Sequence, residues 1–135
     1  MGVFTDIQAA LQTKLSNVSG APSKIVYEND IEYKPVLGTR FWRSTNIRRP
    51  SELSNAAAQQ KHQGIYQVDV FVPAETGLAT LMGDLDAIYA AFNTVNDLTA
   101  GSHVISILDV SPGTILNEEA WCHGFLEIEY VCYAY

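Results

Sequence analysis

Nucleophilic catalysis needs a serine or cysteine within reach of a base, and Cys122-His123 is the adjacent pair that offers one in this 135-residue chain. Both residues fall in a stretch that reads as a single strand, Trp121 to Tyr135, where neighbouring side chains point to opposite faces. The pair therefore cannot meet side chain to side chain, and a packed thiol beside an outward imidazole is the simpler reading. A metal site would draw on His62, His103, His123, Cys122 and Cys132. None of these stands in the Cys-x-x-Cys or His-x-x-x-His spacing of a structural zinc site. Glu118-Glu119 and Glu127 with Glu129 are carboxylate pairs, yet nothing around them separates a general acid from a solvated surface residue. Gly77 and Gly83 are not followed by the Lys-Ser/Thr of a phosphate-binding loop. The expectation is no catalytic residue, no metal and no cofactor.

Charge is more informative. Residues 1–61 hold all 8 Lys and Arg with five acids, net +3; residues 62–135 hold ten acids and no cation, net −10. An acidic half of that kind repels phosphates, which disfavours nucleic-acid binding as the main activity. Six cations, Lys34, Arg40, Arg43, Arg48, Arg49 and Lys61, lie between residues 34 and 61 with only Glu52 to offset them, and Phe41 and Trp42 stand among the arginines. In isolation this composition suits a nucleic-acid patch, and arginine with aromatics is equally the composition of a protein interface core. A basic half and an acidic half on one subunit suit a head-to-tail contact between copies.

The elements that must position these residues read as follows. Phe4, Ile7, Leu11, Leu15 and Val18 recur at helical spacing, predicting a helix over 3–18 opened by a Thr5-x-x-Gln8 capping box. Residues 24–27 and 39–47 read as strands, with 33–38 a loop containing Pro35 and Gly38. Gly64 to Pro73 is the clearest strand, with Tyr66, Val68, Val70 and Val72 on one face and Gln67 and Asp69 on the other. Residues 48–63 are polar and read as a long arm between two strands. Leu78, Leu81, Met82, Leu85, Ile88, Tyr89 and Phe92 predict a second helix to about Asn93, in which Gly83 suggests a close approach to the sheet. Residues 96–101 read as a turn, 103–110 as a strand broken by Ser111-Pro112-Gly113, and 121–135 as the closing strand. Cys122 and Cys132 would stand ~33 Å apart along it, too far for a disulfide.

Residues 1–135 are expected to form one domain of α+β class. It would be a mainly antiparallel sheet with two helices packed on one face and a long protruding hairpin arm. The apolar fraction is globular, no apolar run approaches ~20 residues, and the Met-Gly-Val-Phe start lacks a basic signal-peptide region, so neither membrane insertion nor export is expected.

Tyr27-Glu28-Asn29, Tyr33-Lys34-Pro35, Phe41-Trp42-Arg43, the polar arm and the Gly64–Pro73 block with Gly77 opening a helix resemble the tail terminators and neck proteins of long-tailed bacteriophages, the lambda-type minor tail protein U among them. The resemblance spans nearly the whole chain. It implies a non-enzymatic virion protein that forms a hexameric ring on the finished tail tube. Such a ring ends tube polymerisation and meets the head connector or stopper while DNA passes through unbound. It is assembled in the host cytoplasm and belongs to the head-proximal end of the tail. On that reading Arg40, Trp42, Arg43, Arg48, Arg49, Leu53 and Lys61 are expected to bind partners through the arm. Asp69, Glu127 and Glu129 are expected to face the lumen. Two alternatives stand beside it: a head-side neck protein, such as a connector, stopper or tail completion protein, and a small hydrolase or nuclease using His103 or His123.

Overall fold

A computed structural model describes residues 2–28, 33–53, 59–74, 76–93, 97–118 and 120–134. Helix α1 runs Val3–Ser16 and buries Ile7, Leu11 and Leu15 as their spacing predicts. It starts where expected but its cap is corrected: Gly2 is the N-cap, with no side-chain capping bond, so Thr5 already lies inside the first turn and the Thr5–Gln8 capping box is not used. The helix ends at Ser16, and Val18 is buried just beyond it.

The strands are β1 (Ile25–Val26), β2 (Phe41–Arg48), β3 (Glu52–Leu53), β4 (Gln60–Pro73), β5 (Asp97–Ala100), β6 (His103–Pro112), β7 (Leu116–Asn117) and β8 (Trp121–Ala134). Helix α2, Leu78–Asn93, separates β4 from β5. One sheet holds all eight strands in the order β1-β2-β4-β8-β6-β5, with β3 pairing β4 and β7 pairing β8. Every pairing is antiparallel except β1 with β2. The Gly64–Pro73 strand is the middle of it, paired along its length with β8.

That strand starts earlier than its hydrophobic pattern shows. Gln60, Lys61, His62 and Gln63 are laddered to Ala134, Tyr133, Cys132 and Val131, so tertiary pairing overrides a polar local sequence. The arm expected over 48–63 is correspondingly shortened. Arg49 N–H donates to Gln63 O at 3.0 Å, and Glu52 and Leu53 pair with Lys61 and Gln60. Residues 54–58 of the arm lie outside the described residues. Residues 97–100, expected as part of a turn, form β5 instead, leaving Gly101 and Ser102 as the turn, with Gly101 at φ 59°. Pro112 ends β6 rather than lying in a break, and it is tolerated because no strand lies on its outer side among the described residues.

The register stacks even-numbered residues in rows: Trp42, Val70 and Gly124, then Tyr66 and Ile128. These even-numbered side chains form one buried cluster with Ile7, Leu11 and Leu15 of α1 and Leu81, Leu85, Ile88 and Phe92 of α2. Full burial of each large aliphatic contributes roughly 1.5–3 kcal/mol. The α2 stripe is narrower than expected: Leu78, Met82 and Tyr89 are exposed, and the space beside Gly83 is open, so Gly83 marks no close approach. The close approach is at Gly64, where a Cβ would lie 2.7 Å from both Ile47 O and Tyr130 Oη. Glycine there lets the Tyr130 ring lie across β4 and hydrogen-bond Asn46 Oδ1 on β2 at 2.7 Å.

Candidate functional site

Odd-numbered residues of β2, β4 and β8 share the other face, and the register sets Phe41, Phe71 and His123 side by side. Phe41 and Phe71 stack at 4.7 Å and Phe71 and His123 at 4.2 Å, with ring planes within 10°. Trp121 and Tyr33 meet Phe41 edge-on at 5.3 and 5.5 Å. In the next row Asp69 sits between Arg43 and Phe125. Asp69 is only 3% exposed, and its Oδ1 lies 2.9 Å from His123 Nε2 and accepts from Gln67 Nε2 at 3.1 Å. An ionised Asp69 requires Nε2 to carry the proton. Arg43 Nε is 3.8 Å from Asp69 Oδ2 while its guanidinium lies 5.0 Å over the Phe71 ring.

Chemically this is an imidazole held between acids. Its second nitrogen, Nδ1, faces Glu118 at 3.8 Å, so neither nitrogen is turned to a hydroxyl or thiol. Cys122 is buried on the opposite face, as strand alternation requires. Burial, helped by the nearby Asp6 charge, pushes the Cys132 thiol up, which makes it a packed side chain rather than a thiolate. The three histidines occupy three separate places. His103 Nδ1 lies 2.6 Å from Asp6 Oδ2 and ties β6 to α1; His62 Nδ1 lies 2.7 Å from Ser51 Oγ. Among the described residues no group of His, Cys, Asp and Glu could hold a metal ion.

Two residues expected at a partner surface are engaged inside the subunit. Trp42 is fully buried and donates from Nε1 to Asp84 Oδ2 at 3.0 Å. Arg40 Nη1 donates to both Asp84 oxygens at 2.8 and 2.7 Å, and Nη2 donates to Gly20 O at 2.7 Å. Within the subunit they join β2, α2 and the segment after α1. Asp69 is likewise no outward carboxylate. Glu127 and Glu129 are half-buried on the odd-numbered face of β8, and Arg43, Arg48, Arg49 and Leu53 remain exposed with Lys61 half-buried. Arg49 Nη1 approaches Glu129 Oε1 at 3.9 Å, an exposed pair of little energetic weight.

Sequence reading missed a polar relay beside β2. Asn46 N–H donates to Glu28 Oε1 at 2.9 Å, and Asn46 Nδ2 donates to Gln8 Oε1 at 3.1 Å. Burial pushes the Tyr130 phenol up, partly offset by its hydrogen bond to Asn46. The partners are 18 to 84 residues apart, so no local spacing signals them. Beside this relay an open cleft of about 510 Å³ is lined by Val26, Tyr33, Phe41, Arg43 and Ser44.

A family model described as phage tail terminator protein matches residues 6–124. One solved structure aligns over 96% of this chain and 94% of its own at a TM-score of 0.73 and 17% identity, a likeness of fold alone. No curated protein matches the chain.

Proposed function

The chain belongs to the phage tail terminator family, a structural and non-enzymatic one, and from that premise we propose that it caps the tail tube, ends its polymerisation and joins the tail to the head connector. A structural role in a phage tail follows from the family; the capping and joining steps are our reading. The observation that carries it is the family match, which runs from the first turn of α1 into β8 and so spans nearly every element. The sheet surface supports it in kind, since the His123–Asp69 pair is built as a cross-strand tie rather than a catalytic dyad.

In this reading copies close into a ring, six being the number the family resemblance implies. The hairpin between Arg48 and Lys61, with Leu53 near its tip, contacts a neighbour or the tube. Arg43, Arg48 and Arg49 supply charge there. Glu127 and Glu129 line the lumen, where like charge keeps DNA from adhering. The partners are a tail tube protein and a head connector or stopper, and the site is the head-proximal end of the tail.

Polymerising tube protein in the presence of the purified chain tests this. Tubes should stop lengthening, and electron microscopy should place the chain at one end, where connector rings then bind. Unchanged tube growth with binding to connector rings alone would sink the terminator reading in favour of a head-side neck protein.

A further inference from the structure

We propose that the two lateral edges of the sheet are built for each other in successive copies: the outer edge of β2 at residues 44–48 docks on the outer edge of β6 at residues 107–112 of a second copy. This rests on the ring reading above and names its subunit contact.

Strand order supplies the geometry. The β4–β8 pair is central, β2 flanks it on one side and β6 on the other. Next outward, β1 pairs β2 only at Trp42 and Arg43, and β5 pairs β6 only from His103 to Ser106. Beyond those points, neither strand has a further strand beside it among the described residues. Trp42 N–H donates outward to Lys24 O at 3.3 Å and Asn46 N–H outward to the Glu28 carboxylate, so even-numbered N–H groups of β2 face this edge, Ser44 between them. Strand edges without a neighbouring strand invite pairing with another chain, and edges on opposite sides of one subunit give a head-to-tail contact, which forms a ring where the rotation between copies closes.

Charge selects a second copy as the occupant. Arg43, Arg48 and Arg49 are exposed at β2 and just past it, Arg43 reaching over Phe71 toward Asp69, Arg49 toward Glu129 and Arg48 toward Gln8, and Glu28 on this side is engaged by Asn46 and Gln8. Asp97 and Asp109 are exposed on the β5–β6 side, where they accept hydrogen bonds from Ser106 Oγ and Ser111 Oγ, and β5 and β6 themselves carry no Lys or Arg. Shape agrees with charge. The β6 register shifts between Ile107 and Asp109, and Leu108 there is 55% exposed. Leu108 has the size and polarity for the 510 Å³ cleft beside β2, whose lining combines Val26, Tyr33 and Phe41 with Arg43 and Glu28.

The test uses two charge-reversed chains, Arg48→Glu/Arg49→Glu and Asp97→Lys/Asp109→Lys. Light scattering across concentration and electron microscopy on tail tubes read the assembly. Each variant alone should self-associate roughly 100-fold more weakly than wild type, since like charges then face each other. An equimolar mixture should regain wild-type assembly, because alternating copies restore opposite charges at every contact. Restoration is also the folding control, as misfolded chains could not regain it. Single variants that assemble like wild type would overturn the edge contact while leaving the ring. Loss in each variant without rescue in the mixture would also overturn it. A wild-type chain that stays monomeric both free and on tubes would remove the ring itself.

Discussion

Replacing Asp84 by Ala tests the claim that Arg40 and Trp42 hold the fold together. Asp84 accepts two hydrogen bonds from Arg40 and one from Trp42, linking α2 to the start of β2. The substitution leaves the fully buried Trp42 Nε1–H without its acceptor, a cost of about 1–3 kcal/mol. It also strands a guanidinium. Losing one partner of a fully buried pair costs about 3–5 kcal/mol, but Arg40 keeps a 30% exposed side chain and water recovers much of that. The combined loss should be ~3 kcal/mol, out of a total of about 5–15 kcal/mol for a domain. For a chain of this size that lowers the melting temperature by roughly 10 °C. Thermal and urea unfolding followed by circular dichroism measure it. Arg40→Met/Asp84→Leu should recover part of the loss by removing the stranded charge, leaving the Trp42 penalty. A loss below about 1 kcal/mol for Asp84→Ala would refute the reasoning.

Gly64→Ala should cost about 1–3 kcal/mol in urea unfolding, because the added Cβ meets Ile47 O and Tyr130 Oη at 2.7 Å and must displace the ring from Asn46; a change under about 0.5 kcal/mol would contradict that packing. Burial pushes the Tyr66 and Tyr130 phenols above the ordinary 10.0, eased for Tyr66 by the Ser44 hydroxyl, which lies nearby without closing a hydrogen bond. The stability they contribute is therefore complete below pH 10.0 and is lost as pH rises through their folded values. In an alkaline titration read by phenolate absorbance, these two of the 7 tyrosines should ionise only with unfolding. Tyr66→Phe should leave stability unchanged or raise it by up to about 1 kcal/mol, since the buried hydroxyl has no hydrogen-bond partner among the described residues. Glu127→Lys/Glu129→Lys in assembled particles should slow DNA exit; unchanged ejection kinetics would remove these carboxylates from the lumen.

The readable parts of the chain were those whose burial follows a local period. Leu81, Leu85, Ile88 and Phe92 announce α2, and Tyr66, Val68, Val70 and Val72 announce the core face of β4, because each alternation repeats within a few residues. The same rule separates Cys122 from His123. Residues 60–63 and 97–100 defeated it: their polar side chains carry no period, and they become strands because β8 and β6 supply the ladder.

Charge asymmetry, two helices and an α+β class were therefore legible in the order of residues alone, since composition and short-range periodicity survive without a fold; the family was legible as a resemblance of whole sequence blocks. Tertiary structure decided what each charge does. Arg40 and Trp42 look like interface residues beside Arg43, yet Asp84, more than forty positions on, draws both inward. Asp69 reads as an outward acid until His123, 54 residues away, comes to lie against it. Which cation meets which acid depends on strand order, and strand order is fixed by long-range pairing that no local pattern encodes.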